Sequence, residues 1–340
     1  MDRDVDIVSL VLGGARRPPE PPPNLDAFVW YNRGTPAIAL TPTGDVDSFS
    51  VGSGLWSMFA TVVPPYSASY FGSFCTVTDA VNAPNNGTFT LRTSGGANQG
   101  ILLNPSGLSE PASPARYRFQ GVLQAITDLS PSARVFVMDT STSNFVIRDD
   151  LIVGQKLLTE PGANTEGSPV ARRMVNASLG SLYVGDVSAS FSARLMFPNG
   201  AGSHIVMFVT PAALNSTDSM TARVLSPTQL RLQRGGISYD VTLPTPIAAG
   251  AWLTLGWRYD ATTHRLTAFV DGVPVATSPA GAAYLLVNPT VVGLGSCVGV
   301  ATTRVHFKGF AMNHTAWTDA QFLAVHRAFL AFDSFYPYSD

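Results

Sequence analysis

The sequence has 340 residues, of which 45% are hydrophobic and only 13% charged, and its formal net charge is −2. This composition excludes an intrinsically disordered chain, which needs low hydrophobicity and high charge, and a protein held to nucleic acid by a basic surface. No apolar run approaches the roughly 20 residues that span a bilayer, so membrane insertion is not expected, and the length predicts about two domains.

Residues 1–23 predict an N-terminal arm. Residues 5–12 alternate as a strand does, and the proline-rich run at 18–23 favours a stiff polyproline spacer. The acidic start lacks the positive region of a secretory signal, so no signal peptide is expected. We expect the arm to make assembly contacts through Val5, Ile7 and Leu10.

Residues 24–158 predict a first β-sandwich. Short β-rich runs such as 56–63 and 117–126 recur between Gly, Pro, Asn, Asp and Ser clusters, and no helical pattern separates them. Tyr66 and Tyr70 lie in a proline-bearing loop that fits an assembly contact as well as a cover for the core. The turn-rich residues 159–171 are interpreted as a linker.

Residues 172–340 predict a second β-sandwich that ends in one helix and a tail. Asp271-Gly272 between two apolar runs predicts a type I′ hairpin turn, which requires positive φ. Residues 318–321 fit a capping box, and apolar residues then recur at helical spacing. These apolar residues are Phe322, Val325 and Phe329, and His326 beside them is interpreted as structural. The tail is expected to dock on neighbouring subunits through Phe335, Tyr336 and Tyr338.

One region resembles a known fold family. The pattern Trp-x-x-Leu-x-Trp-x-Tyr-Asp at 252–260, the run 266–276 and the element 317–322 resemble the laminin G-like or concanavalin A-like sandwich, over residues 172–332. The resemblance implies a fold that serves lectins, glycanases, adhesive modules and viral attachment domains. With its arm, two β domains, low charge and abundant small residues, the whole chain also resembles a virion surface protein.

The resemblance implies ligand sites in rim loops, because loops on a rigid sandwich carry recognition. We expect glycan contacts at Asn199, Asn215 and Asp218. Calcium is the one cofactor that the resemblance would bring, and Asp186 and Asp218 are the expected ligands. Ordinary Asx turns are the alternative explanation for these residues.

Catalysis is not expected. Catalytic members of the fold class carry paired glutamates along one strand, and a glycosidase needs two carboxylates at a fixed separation. Every glutamate of this chain, however, falls in a predicted connector: Glu20, Glu110, Glu160 and Glu166. The sequence also lacks a Gly-x-Ser-x-Gly elbow, a Walker loop and an HExxH pair. Cys75 and Cys297 are interpreted as buried small hydrophobes.

The sequence therefore predicts an all-β protein of two jelly-roll-like sandwiches. The leading hypothesis is a non-enzymatic virion structural protein, a capsid decoration, crown or fibre at the virion surface. It would assemble with copies of itself or other virion proteins and carry a cell-surface glycan as a further candidate partner. The alternative is a lectin-like, extracellular carbohydrate-binding module. A polysaccharide hydrolase is the least favoured hypothesis.

Overall fold

The structure is a computed structural model, and a set of residue ranges is described. These are 19–30, 37–38, 43–52, 55–60, 74–96, 98–119, 123–138, 146–149, 156–160, 173–198, 200–211, 219–295 and 305–335. Most of the residues predicted for assembly or ligand binding lie outside these ranges. They are Val5, Ile7, Leu10, Tyr66, Tyr70, Asn199, Asn215, Asp218, Tyr336 and Tyr338.

The described residues form an all-β structure with one α-helix, which confirms the predicted fold class. The strands in chain order are β1 (Ala27–Trp30), β2 (Ala37–Ile38), β3 (Thr43–Asp45), β4 (Ser48–Gly52), β5 (Leu55–Phe59), β6 (Phe74–Thr78), β7 (Gly87–Gly96), β8 (Gln99–Leu103), β9 (Arg116–Phe119), β10 (Leu123–Thr127), β11 (Val135–Met138), β12 (Val146–Asp149), β13 (Lys156–Glu160), β14 (Arg173–Asn176), β15 (Ala189–Met196), β16 (His204–Thr210), β17 (Met220–Ser226), β18 (Gln229–Arg234), β19 (Ile237–Thr242), β20 (Leu253–Asp260), β21 (Arg265–Val270), β22 (Val273–Thr277), β23 (Val291–Gly295) and β24 (Val305–Asn313). The helix α1 spans Asp319–Phe335, and short 3-10 turns span Ala83–Asn85 and Leu179–Tyr183.

The described strands group into three sheets. Sheet 1 has the order β12-β13-β24-β15-β20-β21-β22, with β1 also paired to β24. Sheet 2 has the order β19-β18-β17-β16-β23-β14-β11-β10-β2, and sheet 3 has the order β3-β9-β6-β7-β8-β5-β4. Every pairing given for these strands is antiparallel, for example β15 with β20 and β16 with β17.

Sheets 1 and 2 form a sandwich around the main core. Alternate residues of a strand point to one face, and the inward set includes Leu255 and Trp257 from sheet 1 and Leu230 and Leu232 from sheet 2. The Tyr239 and Tyr259 rings meet across the two sheets at 5.2 Å between centroids. Burying these side chains supplies the main driving force for the fold.

Sheet 3 encloses a smaller core of its own. The Phe49 and Trp56 rings stack there at 4.7 Å between centroids, and Tyr117 and Phe119 pack in the same cluster. Cys75 is fully buried in this core, and burial raises the pKa of its thiol. It is therefore the small hydrophobe that the sequence predicted, whereas Cys297 lies outside the described residues.

Strand pairing connects the two regions that the sequence analysis separated. Sheet 3 uses residues 43–119, while β1, β2 and β10 to β13 join sheets 1 and 2. The predicted linker at 159–171 starts within β13, which pairs with β24. The division into domains at 24–158 and 172–340 stays a prediction. Strands from the first of these ranges, such as β13, nevertheless pair with strands from the second, such as β24.

Two local expectations need correction. The run 117–126 is not one strand: it supplies β9 in sheet 3 and β10 in sheet 2, so the chain changes sheet between them. Glu160 was expected in a connector but ends β13 opposite Val305, because its backbone pairs with a strand far along the chain.

The helix α1 begins and packs as its sequence predicts. The Thr318 N–H donates to Gln321 Oε1 at 2.8 Å, and the Gln321 N–H donates to Thr318 Oγ1 at 3.3 Å, which confirms the capping box. The buried stripe is Phe322, Val325, Phe329 and Phe332. Phe322 stacks on Phe269 of sheet 1 at 3.7 Å between centroids, so the helix covers the outer face of that sheet. Among the described residues, the helical segments fall short of the length and hydrophobicity that crossing a membrane requires.

Candidate functional site

A cavity of about 250 Å³ lies where strands of sheets 1 and 2 end. Its wall is made of residues 243–248 after β19, residues 251–253 at the start of β20, and the β21–β22 hairpin. Pro244 and Pro246 cannot donate to a ladder, so β19 stops before them and the chain curves around the opening. We call this recess the Trp252 cavity.

The lining of the Trp252 cavity is apolar apart from a few polar groups. The core residues Leu253 and Ile247 line it together with the partly buried Val275, and Trp252 is half-buried in the same lining. Among the described lining residues, Asp271 carries the only charge. A small apolar recess with few polar groups is the usual form of a ligand pocket.

The hairpin turn places Asp271 at the rim of the cavity. Asp271 and Gly272 have φ of 49° and 78°, the positive values of the predicted type I′ turn. The Thr254 N–H donates to Asp271 Oδ1 at 2.8 Å. Arg194 Nη1 and His326 Nδ1 each lie 3.8 Å from the same oxygen. No described residue hydrogen-bonds Asp271 Oδ2, and the side chain is 49% exposed, so one carboxylate oxygen is open to a ligand.

A network of charges connects the cavity to α1. Lys308 Nζ lies 4.4 Å from the centroid of the Trp252 ring and donates to Asp333 Oδ1 at 2.6 Å. Arg194 Nε lies 3.5 Å from Asp333 Oδ2, and both cations are almost completely buried. The network holds the Trp252 ring in place and leaves neither cation in the lining of the cavity.

His326 belongs to this network as a structural residue. Its Nδ1 lies 2.9 Å from Thr254 Oγ1, in agreement with the interpretation from the sequence. Burial lowers the pKa of His326, although Asp271 nearby acts in the opposite direction. The ring is therefore neutral at neutral pH.

A second recess lies on sheet 3, a groove of about 550 Å³. Arg116 and Arg118 project from β9 beside Thr76 and Thr78 of β6. The Arg116 side chain is 73% exposed and pairs with Asp45, 83% exposed, at 3.4 Å. Water screens such exposed charges, so this groove offers a ligand weaker contacts than the Trp252 cavity.

The structure places Asp186 in a hydrogen-bonded cluster. Arg234 Nη1 donates to Asp186 Oδ1 at 2.5 Å, and the Tyr259 hydroxyl donates to the same oxygen at 2.9 Å. His264 Nε2 lies 3.0 Å from Asp186 Oδ2. The carboxylate that was predicted to bind calcium thus already has three partners. The described residues contain no group of three or more His, Cys, Asp or Glu side chains placed to hold a metal ion.

The other predicted sites remain predictions. Asn199, Asn215 and Asp218 lie outside the described residues, as do most residues of the predicted assembly surfaces. Phe335 is the last residue of α1, not part of a tail, and it is partly buried.

Sequence reasoning missed the Trp252 cavity. It interpreted Asp271 through its turn alone and Trp252 as part of a strand pattern. A signal for the cavity was nevertheless present, because β20 begins just after Trp252 and its neighbour β21 ends just before Asp271. The pairing of these strands places Trp252 and Asp271 at the same end of the sheet. In an antiparallel pair, the start of one strand lies beside the end of the next.

Comparisons with known proteins give only distant likenesses. The sequence matches no protein-family model and no curated protein sequence. Among solved structures, the binding domain of botulinum neurotoxin serotype G is similar at 9% identity with a TM-score of 0.44, over 59% of this chain and 48% of that chain. A structure titled for the dependence of botulinum neurotoxin type C cell entry on two ganglioside molecules is similar at 6% identity with a TM-score of 0.43, over 60% and 49%.

A third similar structure is the CBM40 of the Ruminococcus gnavus IT-sialidase bound to α2,3-sialyllactose. It shows 14% identity and a TM-score of 0.35, over 43% of this chain and 84% of that chain. The chain spans about half the length of the neurotoxin structures that it matches.

Proposed function

We propose that the protein is a non-catalytic carbohydrate-binding protein and that the Trp252 cavity is its ligand site. The observation that carries the proposal is the juxtaposition of a half-buried tryptophan and a carboxylate with one open oxygen in a small apolar recess. A sugar ring has apolar C–H faces that pack against an aromatic side chain, and hydroxyls that donate to a carboxylate. Both chemistries meet at Trp252 and Asp271.

The same recess supports binding without hydrolysis. Glycosidases place two carboxyl groups about 5–5.5 Å apart for retention or about 6.5–9.5 Å apart for inversion. Asp271 is the one carboxylate among the described lining residues, and the nearby Asp333 is already bonded to Lys308. We therefore do not propose a hydrolase.

The virion structural role and the laminin G-like or concanavalin A-like relationship rest on sequence patterns alone. The arm and most of the aromatic residues predicted for assembly lie outside the described residues. A glycan-binding protein could serve attachment from a particle surface, so the two functions are compatible. Electron microscopy of the purified protein would test the structural role, which requires ordered self-assembly.

A glycan array followed by titration calorimetry tests the proposed function. The wild type is expected to bind at least one glycan class, and Trp252→Ala is expected to weaken that binding about tenfold or more, or about 1.4 kcal/mol. Trp252→Phe keeps an aromatic surface and should retain most of the affinity. Val273→Ala, at an exposed residue of the same hairpin that does not line the cavity, is the matched control. An array without hits, or unchanged binding by Trp252→Ala, would exclude the proposal.

A further inference from the structure

We infer, on the basis of the proposed function, that the Trp252 cavity selects neutral sugars with free hydroxyls over acidic sugars. This selectivity depends on the charge that a ligand meets in the cavity. Asp271 is the only charged residue among the described lining residues, and its charge is negative. A ligand carboxylate or sulfate would face a like charge at the rim of the cavity, and no opposite charge in the lining offsets it.

The neighbouring cations do not reverse this preference. Lys308 is bonded to Asp333 and lies against the Trp252 ring, with a side chain only 4% exposed. Arg194 lies between Asp271 and Asp333, and its side chain is 10% exposed. Neither residue lines the cavity, so neither can reach an acidic ligand without giving up its ion pair with Asp333.

The hydrogen-bonding capacity of Asp271 points to the same class of ligand. An ionised carboxylate only accepts hydrogen bonds, and its Oδ1 is already occupied by the Thr254 N–H. Oδ2 belongs to a half-exposed side chain and is available to accept a hydrogen bond from a ligand, and a sugar hydroxyl is such a donor. Such charge-assisted bonds are roughly twice as strong as neutral ones, so a ligand with a free hydroxyl gains most at this point.

The size of the cavity limits how much of a glycan can enter. Its volume of about 250 Å³ is below the range of roughly 300–1,000 Å³ that is typical of pockets for drug-sized ligands. A single ring at the end of a glycan fits this space better than a stretch of chain. The selected group is thus a terminal neutral sugar.

The test compares matched glycan pairs by titration calorimetry. Each pair is one oligosaccharide with and without a terminal sialic acid or sulfate. The wild type is expected to bind the neutral member at least about tenfold more tightly. Asp271→Asn keeps an oxygen for the Thr254 N–H and suits the type I′ turn, so the fold should survive while the charge is lost. In this variant the difference between the two members is expected to shrink several-fold.

Arg118→Ala, in the groove of sheet 3, is the control and should leave both affinities unchanged. Tighter binding of the acidic member by the wild type, or an unchanged ratio in Asp271→Asn, overturns the inference. If the acidic member is preferred and Trp252→Ala still abolishes its binding, the proposed function survives and only the selectivity is wrong. If Arg118→Ala abolishes acidic binding, the groove is the site and the inference fails. Absence of binding to every glycan rejects the proposed function itself.

Discussion

At the scale of single residues, one buried cation of the sandwich depends on a single carboxylate. Arg234 has no exposed side-chain surface, and its guanidinium lies 4.4 Å from the centroid of the Tyr259 ring while donating to Asp186. A buried cation without a partner is strongly unfavourable. Asp186 is therefore required by Arg234, and this role explains the residue without a metal ion.

Removing the Asp186 charge should destabilise the protein. Asp186→Asn leaves the Arg234 guanidinium buried without an anion, so we expect the free energy of unfolding to fall by about 3–5 kcal/mol in urea titrations. Asp45→Asn, at the exposed pair with Arg116, is the control and should cost about 1 kcal/mol or less. If calcium raises the Tm of the wild type and this effect vanishes in Asp186→Asn, the calcium prediction gains support over the structural role.

Acid should destabilise the fold through His326. Burial lowers its pKa in the folded state, so the unfolded chain takes up a proton first, near the ordinary value of 6.5. The stability that comes from keeping this ring neutral is fully present above pH 6.5, and it is lost as the pH falls from 6.5 through the folded-state pKa. His326→Gln should show a smaller loss of unfolding free energy between about pH 7.5 and about pH 5 than the wild type. An identical pH profile would contradict this assignment.

At the scale of elements, the sequence predicts local signals and the pairing across the Asp271-Gly272 hairpin, but not the pairing of strands that are distant in the chain. The capping box at Thr318 and the turn at Asp271-Gly272 depend on residues a few positions apart, so the sequence alone predicts them. Strands such as β3 and β14 were missed because each is short and their partners, β9 and β23, are distant in the chain. The strand propensity of such segments depends on neighbours that the local sequence does not show.

The contact of α1 with sheet 1 requires glycine at one position. A Cβ at Gly256 would lie 2.7 Å from Phe322 Cε1 and 3.0 Å from Phe269 Cβ, the two stacked rings. Gly256→Ala is therefore expected to lower the unfolding free energy by about 1–3 kcal/mol through overpacking. Gly52→Ala is the control, because a Cβ there meets no atom within 4 Å. Equal stability of the two variants would show that the helix can move away at no cost.

At the scale of the whole molecule, the fold class could be predicted but the arrangement of the sheets could not. Abundant β-rich runs and turn residues suffice to indicate an all-β protein. The Trp252 cavity, in contrast, forms where a proline-bearing segment, a strand start and a hairpin come together. Sequence patterns show each of these parts and do not show that they share one opening.

The pairing of β1 with β24 has a consequence for the order of folding. Asp26, just before β1, accepts a hydrogen bond from the His314 N–H at 2.7 Å, and these residues are 288 positions apart. During synthesis β1 leaves the ribosome long before β24 has been made, so the pairing of β1 with β24 cannot form until the end of synthesis. Contacts this distant form late and slow the folding of β proteins.

Asp26→Ala should therefore speed unfolding in stopped-flow measurements while leaving the refolding rate nearly unchanged. A clear decrease in the refolding rate would instead place this closure in the folding nucleus. The first strand of the described sandwich is, on this reasoning, among the last to be paired.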